Sequence, residues 1–191
     1  MRRLGADRRA IAALEFALIL PVLAFALLAS VDLVTWLEQW FRAERTAMAV
    51  ADNVARAKAI SPANDPNFAG AGGYFAVASD IAQPLVVSGG GGATIVSCLT
   101  ASGGKPQVAW QYAGTTNAAY TSKFGSMGGT AVLPNGFSLA SNETVIVAEI
   151  YSGVQPWNLS AKLWAMMGTA AGGPASIYTY ALYRPRLAQL C

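Results

Sequence analysis

Hydrophobic positions follow three regimes along this chain. From Phe16 to Leu37 (FALILPVLAFALLASVDLVTWL) they are nearly continuous, with one formal charge, Asp32, near the far end. These 22 residues, as a helix, rise about 33 Å, enough for the hydrocarbon core of a bilayer. From Trp40 to Ala57 the apolar and small residues thin to a stripe: Trp40, Ala43, Ala47, Val50, Val54 and Ala57. The spacings alternate between three and four, which marks one face of a helix. Arg42, Arg45, Asp52, Arg56 and Lys58 mostly lie off that face. Pro62 disfavours a helical Ser61 and ends the run. The first two regimes therefore predict one helix from about Ile11 to Ile60, roughly 75 Å long. Its stripe is expected to pack on the chain's own domain, on neighbouring subunits, or on both at different heights.

After Pro62 glycine and small polar residues dominate, with turn clusters at Gly70–Gly73, Gly89–Gly92, Gly103-Gly104, Gly128-Gly129 and Gly172-Gly173. Between them lie short runs with strand character. Ala93–Cys98 (ATIVSC), Gln107–Tyr112 (QVAWQY), Glu143–Tyr151 (ETVIVAEIY) and Ser176–Tyr183 (SIYTYALY) are the candidates, and the last two are expected in one sheet. Trp157–Met167 predicts a short helix between those two strands, and Ala113–Thr130 reads as an exposed loop. The fold class is α+β: a long N-terminal transmembrane helix followed by a small β-rich domain with an antiparallel sheet. The expected divisions are a basic leader over 1–10, the long helix over 11–61 with its membrane segment at 16–37, and the globular domain over 62–191.

Charge sets the orientation. Of 191 residues, 54% are hydrophobic and 12% charged, where soluble domains carry about 25% charged. There are 13 basic and 10 acidic residues; Arg2, Arg3, Arg8, Arg9 and Asp7 fall in the leader, so the remainder is neutral. The excess of basic residues is a stub preceding the span and gives no reason to expect a nucleic-acid partner. Positive charge before the span places the N-terminus in the cytoplasm and the remainder outside. Trp36, Trp40 and Phe41 fit an interfacial aromatic belt.

Several chemistries lack their residues. No histidine is present, which removes Ser-His-Asp and Cys-His sites and the commonest zinc ligand. There is no phosphate-binding loop, and the glycine runs lack a dinucleotide-binding context. Glu143 and Glu149 share a face of a predicted strand at about 20 Å, too far apart for a glycosidase pair. Glu149, inside an apolar strand, reads as a partnered or an edge carboxylate. Asn142-Glu-Thr and Asn158-Leu-Ser match a glycosylation sequon that is common by chance. No enzymatic activity, cofactor or metal is expected. Cys98 and Cys191 permit one intramolecular bridge, or remain two buried thiols. The terminal position of Cys191 favours the bridge, because chain ends fray unless tied down.

A carboxylate at the start of a membrane span needs a reason, since charge within a span is costly. Either Glu15 snorkels to the headgroups, or it has work there. The residues around it resemble a processing site of type IV-like prepilins: a basic leader, a small residue, then Glu-Phe opening an apolar helix. With Ile11 as the first mature residue, Glu15 is the fifth and Phe16 the sixth. Arg8-Arg9, Ala12-Ala13, Glu15-Phe16-Ala17-Leu18 and Pro21 are similar to the N-termini of TadE-like minor pseudopilins of bacterial tight-adherence (Tad/Flp) pilus systems. The likeness is dense over about fifteen residues and looser at Val145–Ile150 and at the aromatic strand ending in Arg184-Pro185-Arg186. Where the family pattern has Gly before the cut, this chain has Ala10.

The resemblance implies a minor pseudopilin, cut between Ala10 and Ile11 by a prepilin peptidase and held in the bacterial inner membrane with its C-terminal domain in the periplasm, or taken into the extracellular pilus. Its implied partners are that peptidase, other pilus subunits and minor pseudopilins, an inner-membrane assembly platform and the lipid bilayer. Glu15 would pair with the Ile11 amine of an adjacent subunit, and Pro21 would let the helix kink on extraction. A second reading is a secreted or membrane-anchored periplasmic binding module with an ordinary signal sequence. Ala24-Phe25-Ala26 resembles a signal-peptidase site. Glu15 and the unbroken pattern through Trp36 count against it.

Overall fold

The computed structural model describes residues 8–61, 65–69, 72–134, 136–166, 168, 175–186 and 191. Most of the leader, including Arg2, Arg3 and Asp7, lies outside the described residues, as do Pro62, Gly70, Met167, Gly172 and Gly173. The elements run α1 (Arg8–Ala55), α2 (Tyr74–Ala82), β1 (Gly92–Ser102), β2 (Lys105–Ala113), β3 (Thr144–Val154), α3 (Ser160–Met166) and β4 (Ala175–Tyr183). The chain is α+β. It forms two compact units, Met1–Glu38 with Gln155–Pro174 and Gln39–Val154 with Ala175–Cys191.

The second unit is built on one four-stranded sheet in the order β2-β1-β3-β4, antiparallel throughout. All four strands expected from the sequence are present. The expected pair, β3 and β4, are direct neighbours with Glu149 opposite Tyr180 and Val147 opposite Leu182. β3 is central and buried from Val145 to Ser152, so both of its faces are covered. Val145 and Val147 join Leu99, Val108, Phe124 and Ala131 in a core on one face. Ile146, Ala148 and Ile150 point to the other, where Val96 and Cys98 are also buried. Ala43, Ala47, Val50 and Val54, the stripe of α1, are buried in the same unit, as expected for a helix layer on a sheet.

A register shift between Cys98 and Leu99 sorts the two cores. Val108, Trp110 and Tyr112 alternate in sequence as if on one face. The extra residue on β2 pairs Trp110 with Cys98 but Val108 with Leu99, and a bulge of this kind turns neighbouring side chains to opposite sides. Trp110 and Tyr112 then meet Phe68, whose ring stacks on Tyr112 at 4.1 Å and lies edge-on to Trp110 at 5.8 Å. Gly92, where β1 begins, is required by close packing. A Cβ there would lie 1.9 Å from the Val86 carbonyl oxygen and 2.6 Å from that of Tyr151.

Three sequence expectations need correction. The long helix ends at Ala55, not near Ile60. Its last turn tightens, with Arg56 and Ala57 donating to the carbonyls of Asn53 and Val54, and the Arg186 amide donates to the Ala55 carbonyl at 2.9 Å. A backbone donor from elsewhere thus satisfies a carbonyl that the next helical turn would have used. α2 was not anticipated. It starts at Gly73 without a side-chain cap and stops at Gln83, before Pro84. The third correction concerns residues 113–130. They have little regular structure, but Phe124 is 3% exposed and belongs to the core.

Candidate membrane and assembly helix

In the first unit, α1 is apolar on every side. Leu18, Ile19 and Leu20 are 67%, 53% and 50% exposed, and consecutive helical residues point about 100° apart. Leu14, Phe16, Val22, Leu23, Leu27, Val31, Leu33 and Val34 are exposed too. A helix with no hydrophilic face needs an apolar surrounding, and this one is long and apolar enough to cross a membrane. Pro21 lies inside the helix.

Two hydroxyls of this stretch are answered locally, and one carboxylate from a distance. Ser30 Oγ donates to the Leu27 carbonyl at 2.7 Å, and Thr35 Oγ1 donates to that of Asp32 at 2.8 Å. Bonds of this kind hide a hydroxyl against the helix's own backbone. Asp32 is only 2% exposed. Its carboxylate accepts from the Leu159 amide at 2.9 Å, the Ser160 amide at 2.8 Å and Ser160 Oγ at 2.6 Å. The start of α3 is thus tied to α1 by three charge-assisted bonds, the strong class of hydrogen bond. Ser160 of the Asn158-Leu-Ser sequon is fully buried in this contact.

Glu15 differs. It is exposed on the same helix, and no described residue pairs with it. Ala10 and Ile11, the expected cut, lie on α1, as does Phe16. Ile11 and Phe16 are 50% and 61% exposed. Of the residues of the expected processing and assembly site, the structure leaves Ile11, Glu15, Phe16 and Pro21 exposed on the helix surface. Cys98 and Cys191 form the bridge that the sequence allowed, with Cα atoms 5.9 Å apart.

A second carboxylate, in the other unit, has a role that the sequence only hinted at. Glu149 is fully buried on β3. It accepts from the Ser122 hydroxyl, from the Lys123 amide at 2.9 Å and from the Tyr178 hydroxyl at 2.9 Å. Of the two readings, partnered or edge, it is the partnered one, since β3 is an interior strand. Tyr151 adds a bond to the Thr121 carbonyl at 2.7 Å, and Gln111 one to that of Gly125 at 3.0 Å. Lys123 Nζ sits 3.6 Å from the Tyr178 ring centroid. Residues 121–125 are thereby clamped onto the sheet. Burial pushes the Glu149 carboxyl above the ordinary carboxylate value, and the Ser122, Lys123 and Tyr178 bonds act against that shift. Burial and the adjacent Glu149 push the Tyr178 and Tyr151 phenols up.

No protein-family model, no curated protein and no solved structure matches the chain.

Proposed function

We propose that the chain is a TadE-like minor pseudopilin: a non-enzymatic subunit for assembly of a tight-adherence pilus, held in the bacterial inner membrane by α1 and processed by a prepilin peptidase. The observation that carries this reading is the unequal fate of the two carboxylates on the apolar part of α1. Asp32 is answered inside the chain by three donors. Glu15 stands exposed, with no described residue to pair with it. A carboxylate in an apolar surrounding is stable with a partner of opposite charge, and removing one member of a buried pair costs about 3–5 kcal/mol. Hydrolysis of the Ala10–Ile11 peptide bond would free an amine four residues before Glu15. Between adjacent subunits, that amine and Glu15 would neutralise each other.

The test is complementation with Glu15→Ala and Glu15→Gln, scoring pilus yield, membrane fractionation and leader processing on the same strains. Membrane insertion is expected to persist, since removing a charge from a span lowers its insertion cost. Leader processing is expected to be largely retained, and pilus yield to fall with both variants. Normal pilus yield with both would leave Glu15 as a snorkelling side chain and remove the mechanism. N-terminal sequencing of the wild type supplies an independent check. A start at Ile11 supports the pseudopilin, and a start at Leu27 the secreted binding module.

A further inference from the structure

We infer that α3 is a lipid-contacting foot: the segment from Trp157 to Met166 lies in the outer interface of the bilayer that α1 crosses, held there by Asp32, with phospholipid as its partner. This rests on reading α1 as a membrane span.

Height is the first argument. From Phe16 to Asp32 the helix rises about 24 Å, and a bilayer core is about 30 Å thick. With Phe16 at the inner boundary, Asp32 lies about 6 Å short of the outer one. The bonds from Leu159 and Ser160 fix the start of α3 at that level.

Surface chemistry is the second. Trp157, Leu159 and Met166 are 41%, 42% and 84% exposed. Single exposed apolar residues are ordinary on a soluble surface, but three within ten residues beside an apolar helix suit an interfacial segment, which sinks them about 5–10 Å into the headgroup and acyl boundary. Tryptophan favours that level. From Trp157 to Met166 there is one charge, Lys162. Lys162 is exposed, and its long stem can lie along the apolar surface while its ammonium meets lipid phosphate. Lipid is favoured over a protein partner because Trp157, Leu159 and Met166 are exposed in the same compact unit as the exposed apolar residues of α1, and Asp32 of α1 holds the start of their segment.

The experiment places a photoreactive phenylalanine analogue at Leu23, Leu159, Met166 or Val50 of the full chain. The protein is reconstituted in phosphatidylethanolamine–phosphatidylglycerol vesicles, and adducts are identified by mass. Lipid adducts are expected at Leu23, Leu159 and Met166, with none at the buried Val50. Lipid at Leu23 with none at Leu159 and Met166, or protein adducts there instead, overturns the foot and leaves the span standing. No lipid at Leu23 overturns the span and the foot together. In an Asp32→Asn background the yield at Met166 is expected to fall about tenfold, since charge-assisted bonds are lost, while Leu23 is unchanged. Full yield at Met166 in that background overturns Asp32 as the tether.

Discussion

Glu149 is a sharp test of how the sheet domain is held together. Glu149→Ala would strip the acceptors from the Ser122 hydroxyl, the Lys123 amide and the Tyr178 hydroxyl at once. Each buried donor left without a partner costs about 1–3 kcal/mol. Removing a charge that pays a desolvation cost offsets part of this, so a net loss of about 3–5 kcal/mol is expected. Glu149→Gln keeps an acceptor oxygen and the shape, and is expected to lose about 1 kcal/mol at neutral pH. The pH dependence separates the variants further. The folded-state pKa of Glu149 is raised above 4.5 by burial. The native state then holds a proton that the unfolded chain has released. The resulting stabilisation is complete below about pH 4.5 and is lost as pH rises through the folded-state pKa. The wild type minus Glu149→Gln difference in unfolding free energy should therefore decline with rising pH across that window. The assay is guanidinium unfolding of the full chain in detergent micelles, disulfide intact, followed by near-ultraviolet circular dichroism from pH 4 to 8. A Glu149→Ala loss below about 1 kcal/mol, or a difference that grows with pH, would refute the clamp.

Two further predictions concern the sheet. Replacing Cys98 and Cys191 by serine removes a bridge across 93 residues of sequence and should cost about 2–5 kcal/mol, read as a lowered Tm; an unchanged Tm would count against any stabilising role. Gly92→Ala should yield little folded protein, because its Cβ would collide with two carbonyl oxygens. Gly90→Ala, with open space around its Cβ, should accumulate normally, and equal yields from the two would refute the close-packing argument.

Strand positions were legible because each run was β-branched or aromatic and flanked by turn residues, and local sequence sets both features. The apolar span and the α1 stripe were legible for the same reason. What escaped the sequence was set from a distance. Ala55 is a helix end because the Arg186 amide reaches its carbonyl, and no pattern near Ala55 announces that. Residues 121–125 looked like an exposed loop because their anchor, Glu149, lies some 26 residues further on. Val108 and Trp110 alternate as if they shared a face, and the register shift that separates them leaves no mark in composition. Asp32 read as a charge near the end of a span. Its donors are 127 and 128 residues away. Glu15 drew notice from the sequence because the pattern around it is local, whereas the partners of Asp32 could not be read because they are not.

That separation has a consequence in time. The helix carrying Asp32 is synthesised early, and its partners Leu159 and Ser160 emerge some 127 residues later. At about 5–20 residues per second, the ribosome needs roughly 6–25 s to reach them. Through that interval the Asp32 carboxylate lacks both amide donors, and it stands near the C-terminal end of the apolar run rather than in its middle. In any helix inserted in a bilayer, a carboxylate at mid-span would carry an insertion cost of about 2.5–3.5 kcal/mol throughout such a wait, and one near an end would carry less. The position of Asp32 thus suits the order of biosynthesis as well as the finished structure.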